Sequence, residues 1–400
     1  MYTRRGTLQL IGATALAAGA VGVAASIPGP EPPRIVKRGQ SLLSDPRGDY
    51  AEVDVRTDGT FAVVGHSDPD GGSFLVDIHD DQHPVEAHVL PAPPETRIPD
   101  VKFDPRDGLY YRSMEPTDDD GVGAIELVDY GFAEGTPASP VVLARLEAGP
   151  THNLVAHPTA PVLYATNEAD EPGGLDVWDV SDPRNPVRVG AFGPRGDLHD
   201  VTVDATTNRA HLAYIGDGLD GYVVMDISDP LAPVEAMRFD YAGRITPDEA
   251  GLGVEAFENC HYALGRGDLA VVGDEVAFGV PGGKHVFDLS SGTPEPIGYV
   301  VSPNAQVQEE AFDWTGHNFD FGPRELLVSG DYREGLVVYD LADPTTPTAV
   351  ATYETNDMAE AAEAIDPGDP PRAWAAVYNE RRDLVVVSDM RTGLYVFRLR

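Results

Sequence analysis

Residues 174–183 read Gly-Leu-Asp-Val-Trp-Asp-Val-Ser-Asp-Pro, a run of β-forming residues that ends in Asp, Ser, Asp and Pro. The same order returns at residues 335–344 and at residues 221–230. An Asp side chain caps a turn by accepting nearby backbone N–H groups, and the ring of Pro fixes its own φ at a value that suits the turn. Each copy therefore predicts a strand that ends in a tight turn.

Each copy belongs to a larger unit of four short, β-rich segments separated by Gly, Asp and Pro. Such units recur at intervals of roughly 50 residues, and this period is typical of propeller blades. We predict an all-β, seven-bladed β-propeller; a two-sheet sandwich assembly is the alternative. The predicted blades start near Ala51, Pro99, His152, His199, His261, His317 and Trp374.

The seventh unit contains only three segments before the chain ends, at 375–379, 383–388 and 393–399. A fourth β-rich segment is available between Arg34 and Leu42. Pairing this N-terminal strand with the last blade closes the ring and removes its open edge. We therefore expect residues 34–400 to form one domain.

The repeated Gly-Leu-x-Val-x-Asp-Ile/Val/Leu-Ser/Ala-Asp-Pro-x-x-Pro core resembles the LVIVD-repeat family of exported β-propeller proteins. It is strong in predicted blades three, four and six and eroded in blades one, two and five. The resemblance implies the fold and a location outside the cytoplasm. It implies no activity and no catalytic residue.

The composition excludes several classes of partner. Asp and Glu number 66 against 28 Lys plus Arg, for a formal net charge of -38, and the lysines are only Lys37, Lys102 and Lys284. Nucleic acids and anionic membranes attract cationic proteins, so neither is an expected partner. A lysine-poor acidic surface is typical of a protein built for high salt, where self-repulsion is screened. We expect a halophilic source.

Residues 1–25 resemble a twin-arginine signal peptide. Arg4-Arg5 precedes a weakly apolar run from Leu8 to Ala25, with small residues before a cleavage site after Ala25. We expect export by this route and a secreted or cell-surface protein; an uncleaved N-terminal anchor is the alternative. Cys260 is the single cysteine, which rules out a disulfide within the chain.

Four histidines share one position, at the start of four consecutive inner strands. Such residues surround one mouth of the channel of a propeller, and imidazole is the commonest transition-metal ligand. They are candidate ligands for one ion of Fe, Mn, Cu or Zn: His152, His199, His261 and His317. Acids close by in sequence are candidates to orient these rings: Glu255, Glu258, Glu310 and Asp313.

Two other readings of the histidines stay open. In the first, the histidines have only a structural role and tie neighbouring blades together. In the second, they line a ligand pocket that contains no metal. Acids that end the second strands, Asp274, Glu275, Asp331 and Asp389 among them, are expected to be solvated loop residues. The remaining histidines are expected at the surface or in turns: His66, His79, His83, His88, His157, His211 and His285.

The function expected from these features is that of an exported binding or scaffold module. Its channel mouth would receive a small ligand, a metal ion or a surface protein, and we expect a monomer. The alternative is a metal-dependent oxidoreductase with its metal on the channel histidines. The sequence contains no nucleophile elbow and no phosphate-binding glycine loop, so it assigns no catalytic residue.

Overall fold

The computed structural model describes residues 32–44, 48–69, 71–167, 174–216, 218–357 and 368–400. Within these ranges the chain is almost entirely β, apart from an α-helical turn at Pro247–Ala250 and a 3-10 turn at Ala311–Trp314. Residues 33–400 form one compact unit. The predicted signal segment, residues 1–25, lies outside the described residues. The all-β prediction is confirmed.

The described strands form six sheets, and the largest has eight strands, in which one parallel pair, Asn318 with Ala375, joins two antiparallel groups. We divide that sheet at this pair and call the resulting antiparallel groups blades one to seven. Blade one contains β2 (Tyr50–Val55), β3 (Phe61–His66), β4 (Gly72–Asp77) and β5 (Val85–Pro91). Blade two contains β6 (Thr96–Arg97), β7 (Val101–Phe103), β8 (Leu109–Pro116), β9 (Ala124–Asp129) and β10 (Val141–Leu146). Blade three contains β11 (Leu154–Ala156), β12 (Val162–Thr166), β13 (Leu175–Asp179) and β14 (Val187–Phe192).

Blades four to seven follow the same order. Blade four contains β15 (Leu198–Asp204), β16 (Arg209–Gly216), β17 (Leu219–Asp226) and β18 (Val234–Asp240). Blade five contains β19 (Cys260–Arg266), β20 (Leu269–Asp274), β21 (Lys284–Asp288) and β22 (Glu295–Val300). Blade six contains β23 (Gly316–Phe321), β24 (Leu326–Asp331), β25 (Gly335–Asp340) and β26 (Thr348–Tyr353). Blade seven contains β27 (Ala373–Asn379), β28 (Leu384–Asp389), β29 (Gly393–Leu399) and β1 (Ile35–Ser41).

The inner strands form a closed cycle. Successive contacts run from β2 to β7, β11, β15, β19, β23 and β27, and then back to β2. The apolar core is divided in the same way, because every core cluster contains residues of two neighbouring blades. A β-propeller is held together in this manner, with each blade burying its faces against the next.

The N-terminal strand closes the ring as predicted. β1 pairs antiparallel with β29, from Ile35 opposite Leu399 to Ser41 opposite Leu394. Arg34 and Arg400 exchange backbone hydrogen bonds of 2.7 and 3.0 Å just beyond that ladder. The two termini of the described domain therefore share one blade.

The repeated Asp residues cap turns. The Oδ1 atoms of Asp179, Asp226 and Asp340 each accept the backbone N–H two residues later, at 2.8 to 2.9 Å. The following Asp182 and Asp343 do the same in the next turn. The repeat motif is therefore structural, as the sequence indicated.

A substitution in β1 tests the closure of the ring. A Cβ at Gly39 would lie 2.6 Å from the Asp81 carbonyl oxygen and 2.7 Å from Pro84 Cδ, so Gly39→Ala forces β1 away from blade one. We expect it to lower the free energy of unfolding by about 1–3 kcal/mol, the usual cost of overpacking. Chemical denaturation followed by circular dichroism measures the change.

The matched control is Gly190→Ala in β14, the outer strand of blade three. A Cβ there meets only Phe192, at 3.6 Å, so the change should stay within about 0.5 kcal/mol. Equal effects of the two substitutions would contradict tight packing of β1 against blade one.

Candidate metal centre

A shared β-bulge places the predicted histidines. In blade four Leu198 pairs with Tyr214 and Asp200 with Ala213, so that His199 is the extra residue. His261 occupies the same place in blade five, between the pairs of Cys260 and Tyr262. The register shifts at the same point in β23, around His317, and in β27, around Trp374. Bulges redirect single side chains, and this one turns the histidine column toward the channel mouth, the end at which the inner strands begin.

The four imidazoles form a continuous arc. Ring centroids are 4.6 Å apart for His152 and His199, 4.2 Å for His199 and His261, and 4.4 Å for His261 and His317. Trp374 continues the arc, 4.5 Å from His317. The structure thus brings together residues that are 165 positions apart in the sequence, from 152 to 317.

Backbone carbonyls of the next blade set the tautomers of two rings. His199 Nδ1 lies 3.0 Å from the His261 carbonyl oxygen, and His317 Nδ1 lies 2.8 Å from the Trp374 carbonyl oxygen. A carbonyl oxygen only accepts, so each Nδ1 carries the proton and donates it. In a neutral ring Nε2 then keeps its lone pair, which is how many metal-binding histidines are oriented.

Glu275 lies between two of these rings. Its carboxylate oxygens are 3.3 Å from His261 Nε2 and 3.5 Å from His317 Nε2. Backbone hydrogen bonding to Asn259 and the Asn259 side-chain amide hold the Glu275 main chain, at 3.1 and 3.2 Å. The Glu275 Oε1 atom is buried, and no donor in the described ranges hydrogen-bonds to it. A buried carboxylate oxygen without a donor is a place for a cation.

Burial of the site favours the neutral form of its imidazoles. Burial and the neighbouring imidazoles lower the pKa of His199 and His261 well below the ordinary value, and burial lowers that of His317 to about 3. Burial also raises the pKa of Glu275 to about 8. Neutral rings present lone pairs, and a metal ion bound beside Glu275 would favour the ionised carboxylate that burial otherwise disfavours.

Among the described residues, His261, Glu275 and His317 form the one compact group of donors, with all ligand atoms within 4.8 Å of one another. His199 flanks this group. His152 lies at the end of the arc, where its Nδ1 is 2.7 Å from Glu115 Oε2. Glu115 in turn binds Arg97 at 2.7 Å. The structure therefore places two of the four predicted ligands in the compact group and His152 in a separate ion-pair network.

The four acids expected to orient the histidines have other neighbours. Glu255 lies 3.4 Å from His285 Nδ1, and Asp313 bridges Arg333 and Arg372 at 2.9 and 3.0 Å. Glu310 is exposed at the start of the 3-10 turn, and the Glu258 backbone N–H bonds to Asp274. None of the contacts that the structure gives these four acids is with an imidazole of the arc, so proximity in sequence alone did not predict the partner of the histidines.

Two other sequence-based expectations are corrected. His285 and His211 are fully buried rather than superficial. His285 Nε2 lies 2.9 Å from Asp274 Oδ2, and its ring stacks on Phe257 at 4.4 Å. The acids that end the second strands of blades five to seven are buried rather than solvated: Asp274, Asp331 and Asp389. Glu275 belongs to the same set of acids, and only its contacts with His261 of its own blade and His317 of blade six mark it as a candidate ligand.

Comparison with known proteins identifies the repeats. The LVIVD repeat matches residues 169–193, 211–241 and 324–355, which fall in blades three, four and six. The resemblance read from the sequence is confirmed. No curated protein matches the chain.

The buried pair of His285 and Asp274 predicts a pH dependence of stability. The Asp274 carboxylate, and after it Glu255, raise the pKa of His285 to about 9. Between pH 6.5 and 9 the His285 imidazole keeps its proton in the folded protein and loses it in the unfolded protein. The stability that this proton provides is therefore fully present below pH 6.5 and is lost as the pH rises through 9. We expect a loss of about 2–3 kcal/mol, measured by urea unfolding at a series of pH values.

His285→Gln should flatten that profile, since glutamine does not titrate. Replacement of the exposed His79 by glutamine is the matched control and should leave the profile as it is. Glu275, whose pKa is raised to about 8, also makes the folded protein less stable as the pH rises. The pH profile of Glu275→Gln separates this contribution from that of His285. A profile of His285→Gln that parallels the wild type would contradict a charged, ion-paired His285.

Proposed function

We propose that this chain, whose LVIVD repeats build a β-propeller, is a binding module that holds one transition-metal ion at its channel mouth. His261, His317 and Glu275 would be the protein ligands. The observation that carries the proposal is the Glu275 carboxyl group between two imidazole Nε2 atoms, with a buried Oε1 that accepts no hydrogen bond from the described residues.

The spacing of the donors suits a first-row metal. Ligands placed tetrahedrally at 2.0–2.1 Å from Zn²⁺ are about 3.3–3.4 Å apart. The two nitrogen–oxygen distances here are 3.3 and 3.5 Å. Imidazole together with carboxylate suits Zn²⁺, Fe²⁺, Mn²⁺ and Cu²⁺. The two distances run to different oxygens of Glu275, and all three ligand atoms lie within 4.8 Å of one another. The two rings and the carboxyl group would therefore draw closer together on binding one ion.

Three protein ligands leave coordination positions open. An ion held in this way can take a further ligand from solution, from a small molecule or from the surface of another protein. His199 is the nearest additional imidazole, with its ring 4.2 Å from that of His261. The module would thus bind its partner through the metal.

A metal-dependent oxidoreductase is the second candidate. The observation that favours it is the donor set itself, because two imidazoles and one carboxylate with open positions are typical of non-haem iron centres that activate small molecules. Nitric oxide added without oxygen to Fe²⁺-loaded protein should then give the EPR signal of an iron–nitrosyl complex. If this EPR signal is absent, the oxidoreductase hypothesis fails and the proposal of a metal-binding module remains.

We also propose that the protein works outside the cytoplasm. The support is the Arg4-Arg5 pair and the apolar run to Ala25, together with the LVIVD repeats. No helix of the described ranges has the length and apolarity needed to cross a bilayer. Replacement of both arginines by lysine should retain the protein in the cytoplasm; unchanged export would contradict the twin-arginine route.

Removal of a proposed ligand should abolish metal binding. Loss of an outer partner of a metal ligand alone weakens binding about 10–100-fold, so Glu275→Gln and His261→Ala should weaken it by more than about 100-fold. Competition with a chromophoric chelator measures the affinity for Zn²⁺. The visible spectrum of Co²⁺-loaded wild-type protein reports a tetrahedral site independently of any variant.

The matched control is His79→Ala, which removes an exposed histidine and should leave the affinity unchanged. Unfolding midpoints of all variants show whether each is folded. Wild-type protein that binds neither Zn²⁺ nor Co²⁺ would overturn the proposal and leave the imidazole arc as a tie between blades.

A further inference from the structure

The central channel contains a second cluster of charged groups below the imidazole arc. A cavity of about 400 Å³ is lined by residues of all seven inner strands. Five acids and a single lysine face it: Glu52, Asp54, Asp104, Asp200, Asp320 and Lys102. This volume lies within the range of small-molecule sites.

Most of these acids already have hydrogen-bond or ion-pair partners within the protein. Lys102 Nζ donates to Glu52 at 3.1 Å and to the neighbouring Asp100 at 2.5 Å. Asp54 and Asp320 each accept two backbone N–H groups, one of them from the next blade. Asp104 binds the Arg106 guanidinium and the Tyr111 hydroxyl.

Asp200 is the exception. One of its oxygens accepts the Val201 N–H at 2.6 Å, and within the described part of the chain the other has no hydrogen-bond donor. The side chain is 5% exposed and lines the cavity. Burial, and after it the nearby Asp100 carboxylate, raise the pKa of Asp200 well above its usual range. No cation of the described residues bonds to it, so a cationic ligand would favour its ionised form.

The side-chain amide of Asn318 independently indicates that the channel binds a ligand. Its Nδ2 donates to Glu52 Oε2 at 2.8 Å, whereas its Oδ1 is buried and accepts no hydrogen bond from the residues that the structure describes. The residue is 3% exposed. Buried amide oxygens are nearly always hydrogen-bonded, so an unpaired one in a cavity marks the place of a missing donor.

Tyr262 completes an arc of three. It lies in blade five, between Asp200 of blade four and Asn318 of blade six, and all three directly follow a histidine of the imidazole arc. The Tyr262 ring packs edge-on against Phe319, with centroids 4.8 Å apart. A carboxylate, an amide oxygen and an aromatic ring together suit a cation that donates hydrogen bonds.

An ammonium group fits this arc better than a second metal ion. These acids do not form a compact set of donors, since the group at His261 is the one that the described residues contain. Lys102 already places an ammonium group between two carboxylates of the same channel. Apolar side chains lie further along the cavity wall and suit a hydrocarbon body: Val53, Val155, Val203, Leu264 and Val377.

We propose that the channel interior binds a small organic molecule with a primary ammonium group, held by Asp200, Asn318 and Tyr262. The ammonium donates to Asp200 and to Asn318 Oδ1, and its apolar body extends along the channel. This site is separate from the proposed metal at the mouth.

Calorimetric titration with n-butylammonium at one fixed salt concentration tests the proposal, with n-butanol as the uncharged molecule of the same size. Wild-type protein should bind the ammonium and not the alcohol. A hydrogen bond to a charged group is worth about 1.5–3 kcal/mol, so Asp200→Asn should weaken binding by about tenfold or more. Lys102→Met should strengthen it, because it removes the competing ammonium.

Glu235→Gln, on the exposed outer strand of blade four, removes the same charge far from the channel and should have no effect. Glu275→Gln should abolish metal binding while leaving n-butylammonium binding unchanged, which separates failure of this proposal from failure of the first. Equal binding of ammonium and alcohol by the wild type, or unchanged affinity in folded Asp200→Asn, would overturn it.

Discussion

The rest of the structure depends on one constraint: each blade has two apolar faces and can bury them only against its neighbours. Every apolar cluster of the described domain accordingly belongs to two adjacent blades, and the clusters link all seven into a ring. A ring buries these faces only if it closes, which explains the pairing of β1 with β29. The free edge of blade seven would otherwise be an exposed template for aggregation.

The same constraint produces the candidate sites. Packing of blade on blade leaves the edges of the inner strands around an axial channel, and a bulge near the start of β15, β19, β23 and β27 turns one residue of each toward the mouth. The next residue then faces the channel interior. Three histidines of the arc are thereby separated by a shift of one residue from Asp200, Tyr262 and Asn318, as expected from the alternation of a strand.

Structural and functional roles of the histidines are not exclusive. The bond from His317 Nδ1 to the Trp374 carbonyl ties blade six to blade seven, and it also fixes the ring so that Nε2 faces Glu275. His199 does the same between blades four and five. One hydrogen bond can thus hold the ring of blades together and orient a metal ligand, which is why the sequence alone left both readings open.

The repeat, the all-β class, the turn chemistry of Asp179 and Asp226, and the closure by residues 34–42 were readable from the sequence, because each depends on local pattern. The alignment of the histidines was readable too, since a repeat places equivalent residues at equivalent points. Glu275 as their partner, the ion pair of His152 with Glu115 and the burial of His285 were not. These depend on the side chains of other blades and of long loops, and only the folded ring decides which of them meet.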